Sequence, residues 1–242
     1  VARKVTDGCN VEIDLSNNTT LTRTGEGFYD VVVASSKDYE DGNVTPTAPT
    51  GSWSVDNAGS AKIFPVKPVA KVGGVEYGTL DEAIANWTNN TTLTLLDNVT
   101  LSDVVTIKST EHHILDLGTY TLTAAEGKNA FEITACGTGA AERYAITIKA
   151  DATNPGSINA GSKSIVYYDY SKGTAAGAND RPIIKINGGV FNASTATWGT
   201  AGIYFKGGSK ARQAATLNIS GGEFNCSING QSKSKMIITG GL

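Results

Sequence analysis

One short phrase is written three times near the end of this chain. IKINGGVFNAS runs from Ile184 to Ser194, LNISGGEFNCS from Leu217 to Ser227, and MIITGG from Met236 to Gly241. Aligning the copies superposes Ile184, Leu217 and Met236 at one position and Ile186, Ile219 and Ile238 at a second. Phe191 falls on Phe224, and Asn192 on Asn225. The second position recurs after 33 residues (186 to 219) and then after 19 (219 to 238). Such a variable period suits a coil that keeps its strands and lets its loops grow. A single unit of this kind cannot bury its own apolar face, so it must be repeated and stacked. At the interstrand spacing of about 4.8 Å, like residues then stand on like. The aliphatics and Phe form an interior column. The glycine pair turns the chain where a side chain does not fit, and Asn192 over Asn225 predicts an amide ladder.

The composition agrees with strands and turns. Glycine occurs 28 times, methionine once, and hydrophobic residues make up 40% of 242 residues, enough to fold around a core. The net charge of −3 comes from interspersed charges, with no basic block for nucleic acid. No run of about 18 apolar residues exists to span a membrane. The three cysteines, Cys9, Cys136 and Cys226, lie far apart without C-x-x-C spacing, which argues against zinc and for small packed residues. The opening at Val1 and the ending inside a repeat are expected of a piece of a longer protein.

Two units are predicted. Residues 1–66 read as a small β domain, with strands at Val11–Leu15 and Phe28–Ala34 and a proline-marked loop from Asp41 to Ser52. Pro65 and Pro68 mark the junction. Residues 67–242 begin with a single helix over Thr79–Trp87. Thr79 and Glu82 have capping-box spacing, and Leu80, Ala83, Ile84 and Trp87 share one apolar face. Short alternating strands follow: TLTLL, VTL, VVTI, ILDL, YTLT, AFEIT and YAITIKA. The helix is expected to lie across the open end of the stack and cover its edges.

The stretch VAKVGGVEYGTLDEAIANW…TLTLLDNVTLSDVVTIKS…ILDLGTYTLT, with the I-x-I-x-GG-x-F copies after it, resembles the right-handed parallel β-helix, the pectin-lyase-like fold. It is most similar to repeat proteins of bacterial cell surfaces and of phage fibres or spikes. The resemblance covers about residues 69–242. It implies an all-β fold: a right-handed parallel β-helix capped by a short N-terminal α-helix and preceded by a small β domain. Because this fold carries lyases, hydrolases and inert spacers alike, it implies little about activity.

Calcium-dependent lyase chemistry, which the resemblance brings to mind, needs clustered carboxylates and a nearby base. Asp116, Asp169 and Asp180 are scattered, and no pair of carboxylates recurs at one position of the aligned copies. Asp81 and Glu82 belong to the helix start. His112 and His113 point to opposite faces if they lie in a strand, and a surface turn is their expected home. GTGAAER (Gly137–Arg143) lacks the Lys-Ser/Thr ending of a phosphate loop. No catalytic residue, metal site or cofactor is therefore assigned. Aromatic rings can lie against sugar faces, which singles out Tyr168, Tyr170 and Trp198 as candidate binding residues. Alternation sends Tyr168 and Tyr170 to one side and Tyr167 to the other. Asn-x-Ser/Thr sequons, as at Asn86, Asn98 and Asn218, follow from composition.

The expected function is a non-catalytic extracellular module, structural or adhesive, meeting surface glycans or proteins. Residues 1–66 would attach it to a bacterial cell wall or to a phage virion, where a homotrimer is one expected assembly. A polysaccharide lyase or glycosidase on the same fold is the alternative.

Overall fold

The computed structural model describes residues 68–137, 142–172, 180–194, 202–210 and 213–241, together with the backbone of five strands between residues 11 and 65. The architecture is mostly β with several parallel sheets, and among the described residues it has one α-helix.

From Thr92 onward the chain visits three sheets in turn. Sheet I takes Thr92–Leu95, His113–Asp116, Arg143–Lys149, Pro182–Ile186, Thr216–Ile219 and Lys235–Ile238. Sheet II takes Val99–Thr100, Thr121–Thr123, Ser157–Asn159, Val190–Asn192 and Glu223–Asn225. Sheet III takes Val105–Lys108, Phe131–Thr134, Val166–Asp169, Ile203–Lys206 and Ile228–Gln231. Each strand pairs parallel with the strand one circuit later, so each circuit forms one layer.

The register builds columns. Leu93, Leu115, Ile148, Ile186, Ile219 and Ile238 stand in one column of sheet I. The shared position of Ile186, Ile219 and Ile238 expected from the repeats is thus observed. Val99, Leu122, Ile158, Phe191 and Phe224 form the column of sheet II, with the two Phe rings stacked at 4.9 Å. Ile107, Ile133, Tyr168 and Phe205 form that of sheet III. These strands are short and β-branched, and their side chains alternate between a buried inner face and a polar outer one.

The double glycine has two distinct duties. Gly189 and Gly222 sit at φ +113° and +114°, a conformation side chains rarely adopt. Gly221 presses against the layer below: a Cβ there would lie 2.5 Å from the carbonyl oxygen of Asn187. The expected amide ladder is present and one residue longer than the repeats indicated. Asn225 Nδ2 donates to Asn192 Oδ1 at 3.0 Å, and Asn192 Nδ2 to Asn159 Oδ1 at 2.8 Å.

The first layer is closed by two elements. Ala70–Val72 pairs antiparallel with Thr92–Leu95 and, through the Gly73–Gly74 turn, with Val75–Tyr77, so the edge of sheet I is covered. Helix α1 (Leu80–Ala85) then lies over the interior. Leu80, Ile84 and Trp87 face Leu95, Leu101 and Phe131 across a residual cavity of about 10 Å³. Ser102 ties it down by donating to Asp81 Oδ1 at 2.6 Å. The helix is shorter than the predicted span, because Asn86 caps it and Trp87 lies beyond the cap. The cap also differs in detail. Glu82 N–H donates to Thr79 Oγ1 at 3.4 Å, but the Glu82 carboxylate takes the Thr79 hydroxyl at 2.8 Å rather than the Thr79 amide.

Two further expectations are corrected. His113 is not in a surface turn: it opens a sheet I strand, 7% exposed, with Trp87 edge-on at 4.9 Å. Its neighbour His112 does point the other way, to Thr147 Oγ1 at 3.0 Å. In the N-terminal stretch, Val44–Thr47 is a strand inside the predicted loop, parallel to Val11–Asp14. A two-stranded sheet has only edges, so Pro46 can sit in it without breaking an inner ladder. Val32–Ser35, Ser60–Pro65 and Trp53–Asp56 form a separate antiparallel sheet.

Candidate functional site

The outer face of sheet III carries aromatic and charged side chains in register. One outward column runs Thr106, Glu132, Tyr167, Tyr204 and Asn229. Tyr167 and Tyr204 lie parallel, with centroids 5.0 Å apart and planes at 13°. Tyr204 is 5% exposed and its hydroxyl donates to Gln231 Oε1 at 3.4 Å, while Tyr167 keeps an exposed part. Burial, and after it the Asp169 charge, holds both phenols above their ordinary pKa, so both are neutral.

The adjoining outward position pairs Asp169 with Lys206 at 3.4 Å. Burial would raise the Asp169 pKa. The hydroxyl and amide of Ser171, at 2.6 and 2.8 Å, together with Lys206, outweigh it and hold the carboxyl below its ordinary value.

Next to Tyr167, where the chain turns from sheet II to sheet III, two successive layers leave a recess of about 260 Å³. Lys128, Asn129, Glu132, Lys163 and Tyr167 line it. Asn129 is locked in place: its Nδ2 donates to Glu132 Oε1 at 2.7 Å, and its Oδ1 accepts the Ser164 amide at 2.9 Å. Lys128 reaches Asp103 at 3.3 Å.

The predicted binding residues are dispersed. Tyr168 is fully buried in the column of sheet III and presents no ring face; its hydroxyl donates to Asp180 Oδ2 at 3.1 Å. Tyr170 leaves the strand, because sheet III ends at Asp169 and a 3-10 turn covers Tyr170–Lys172. Its hydroxyl accepts from Gln213 Nε2 at 2.6 Å. Trp198 lies outside the described residues. Tyr167 and Tyr204 are the pair that the sequence reading passed over. The signal was the match of VYYD (Val166–Asp169) with IYFK (Ile203–Lys206), which superposes Tyr on Tyr in the outward position.

The scattered acids are each engaged locally. Asp116 pairs with Lys149 at 3.0 Å and accepts the Gly118 amide. Asp180, 3% exposed, is raised above its ordinary pKa by burial, against hydrogen bonds from Ser109, Tyr168 and the Gly137 amide. Among the described residues no group of three or more His, Cys, Asp or Glu gathers in metal-binding geometry. Cys136 and Cys226 are free thiols, and burial pushes Cys226 up to about 11.

On the outer face of sheet I, Tyr144 is 41% exposed between His112, at 5.4 Å ring to ring, and Lys185 Nζ, 5.6 Å from its centroid. Among the described residues no helix is long and apolar enough to cross a membrane.

No family model, curated protein or solved structure matches this chain. Among the described residues the fold is mostly β, with stacked parallel strands and one short helix over the first layer.

Proposed function

We propose that residues 67–242 form a right-handed parallel β-helix and that the chain is a non-catalytic structural and adhesive module. It is displayed outside a cell, on a bacterial surface or a phage virion, with residues 1–66 as its attachment element. It meets glycans or proteins through its sides.

The observation that carries this reading is the continuous inward column, which passes intact beside a single register shift between Tyr144 and Ile146 in sheet I. One inward column runs through six strands of sheet I, and matching ladders of Phe, Asn and Tyr run beside it. Parallel strands held this way give a stiff body whose length grows by adding layers. The outward acids support a passive surface: Asp116 and Asp169 sit in ion pairs, as expected of groups that hold layers together.

Immunogold microscopy with antibody against the purified chain tests the reading. Label on the surface of intact bacteria or on virions is expected, and label confined to the cell interior refutes it. A parallel incubation with surface polysaccharides is expected to release no reducing ends. Release that is lost in Asp169→Asn would move the chain to the lyase or glycosidase class.

A further inference from the structure

The recess beside Tyr167 has the composition of a sugar site. We propose that it binds one uncharged pyranose ring of a surface saccharide. This rests on the reading of the chain as a surface module, and names the side-chain set that makes the contact.

Three observations lead there. The first is the wall. Tyr167 is braced from behind by Tyr204 at 5.0 Å and 13°, so its ring is already fixed and little conformational freedom is lost on binding. A fixed, partly exposed phenol ring matches the C–H face of a pyranose.

The second is the polar complement. Glu132 accepts from Asn129 through Oε1, and Asn129 is itself anchored by the Ser164 amide. The carboxylate is therefore aimed, and Oε2 takes no hydrogen bond among the described residues. Lys163, half-buried in the same lining, makes no side-chain ion pair among the described residues. A carboxylate acceptor and an ammonium donor lining one recess fit a pair of neighbouring hydroxyls, each of which both donates and accepts.

The third is charge. Asp103 pairs with Lys128 at 3.3 Å, and the lining holds one further acid, Glu132, and one further base, Lys163, so the formal charges balance. A bare phosphate or carboxylate would meet Glu132 at short range, which disfavours it. A flat apolar ligand would leave Glu132 and Lys163 desolvated without partners. At about 260 Å³ the space is below that of a drug-sized pocket and suits a single ring. Contact with one sugar through one recess gives weak affinity, and a stiff body carried in many copies converts weak contacts into adhesion.

The test is titration of the full chain with the methyl glycosides of glucose, galactose, mannose and N-acetylglucosamine, read by saturation-transfer NMR. At least one is expected to bind, with a Kd of order 1 mM, roughly −4 kcal/mol. Tyr167→Ala is expected to weaken it at least about tenfold. Glu132→Gln, which keeps the shape and changes the acceptor, is expected to weaken it several-fold. Tyr144→Ala on the far face of sheet I is expected to leave it unchanged. Far-UV circular dichroism checks that each variant is folded. If Tyr167→Ala misfolds, Glu132→Gln and Lys163→Ala, both partly exposed, decide the matter.

The proposal is overturned if none of the four glycosides binds, if binding persists unchanged in the folded recess variants, or if inorganic phosphate competes at equal concentration. Loss of sugar binding with surface labelling intact counts against this recess alone. Label confined to the cell interior counts against the wider reading.

Discussion

The column of Ile186, Ile219 and Ile238 offers a test in which chemistry is constant and only the covering layer changes. The three residues are 0%, 1% and 53% exposed. Ile→Ala removes three carbons, about 2.4 kcal/mol at roughly 0.8 kcal/mol per buried methylene. At Ile186 the layers on both sides are held by parallel register, so the space cannot collapse, and a cavity cost adds to the transfer cost. Ile186→Ala is therefore expected to cost about 3–4 kcal/mol, within the range of about 2–5 seen for such truncations. At Ile238 about half the side chain is already in water and no enclosed cavity forms, which leaves roughly 1 kcal/mol. For a body of this size each kcal/mol moves the melting point by about 2–4 °C. Thermal unfolding followed by far-UV circular dichroism should thus show a fall of about 10 °C for Ile186→Ala and about 3 °C for Ile238→Ala. Ile219→Ala should resemble Ile186→Ala. Equal losses at all three positions, or the largest at Ile238, would show that the three do not share one stacked interior.

Three further outcomes follow from particular contacts. Gly222→Ala forces a side chain into φ +114°, with its Cβ 3.1 Å from the Gly189 carbonyl oxygen, and should cost about 1–3 kcal/mol in urea unfolding. Trp87→Ala should cost about 3–5 kcal/mol, because it strips the cover from His113 and Phe131 and the bond from Trp87 Nε1 to the Thr91 carbonyl. Asp169 and Asp180 should show opposite pH behaviour in melting experiments. Asp169 is held low, so its contribution is present above the ordinary carboxylate pKa of about 4 and is lost as pH falls below it. Asp169→Asn should destabilise at pH 7 and much less at pH 3. Asp180 is held high, so its favourable protonated form is populated below about pH 4 and lost as pH rises through its folded value. Asp180→Asn keeps an acceptor for Tyr168 and should be neutral or stabilising at pH 7, with the gain fading toward pH 3. The same slope in both variants would contradict the assigned environments.

Much of this molecule was decided by local pattern. Alternation in ILDL and KINGGVFN, repeated with glycine pairs, sufficed for strands, for turns and for which residues stack. Periodicity states which side chains share a face, and identical units can bury that face only by stacking. The capping box and the i, i+3, i+4, i+7 face of Leu80, Ala83, Ile84 and Trp87 likewise located the helix, although Asn86 ended it early.

The site was another matter. Alternation placed Tyr167 opposite Tyr168 but did not say which side was the interior. It also assumed that the strand ran on through Tyr170, where the chain instead turns. Only the assembled layers put Tyr204 behind Tyr167, 37 residues on, and brought Glu132 from the preceding layer beneath it. Sequence by itself thus determined the strand unit and its repetition, because those rest on local spacing. Which outward side chains meet depends on the length of each intervening loop, and that offset is settled only when the layers dock in register.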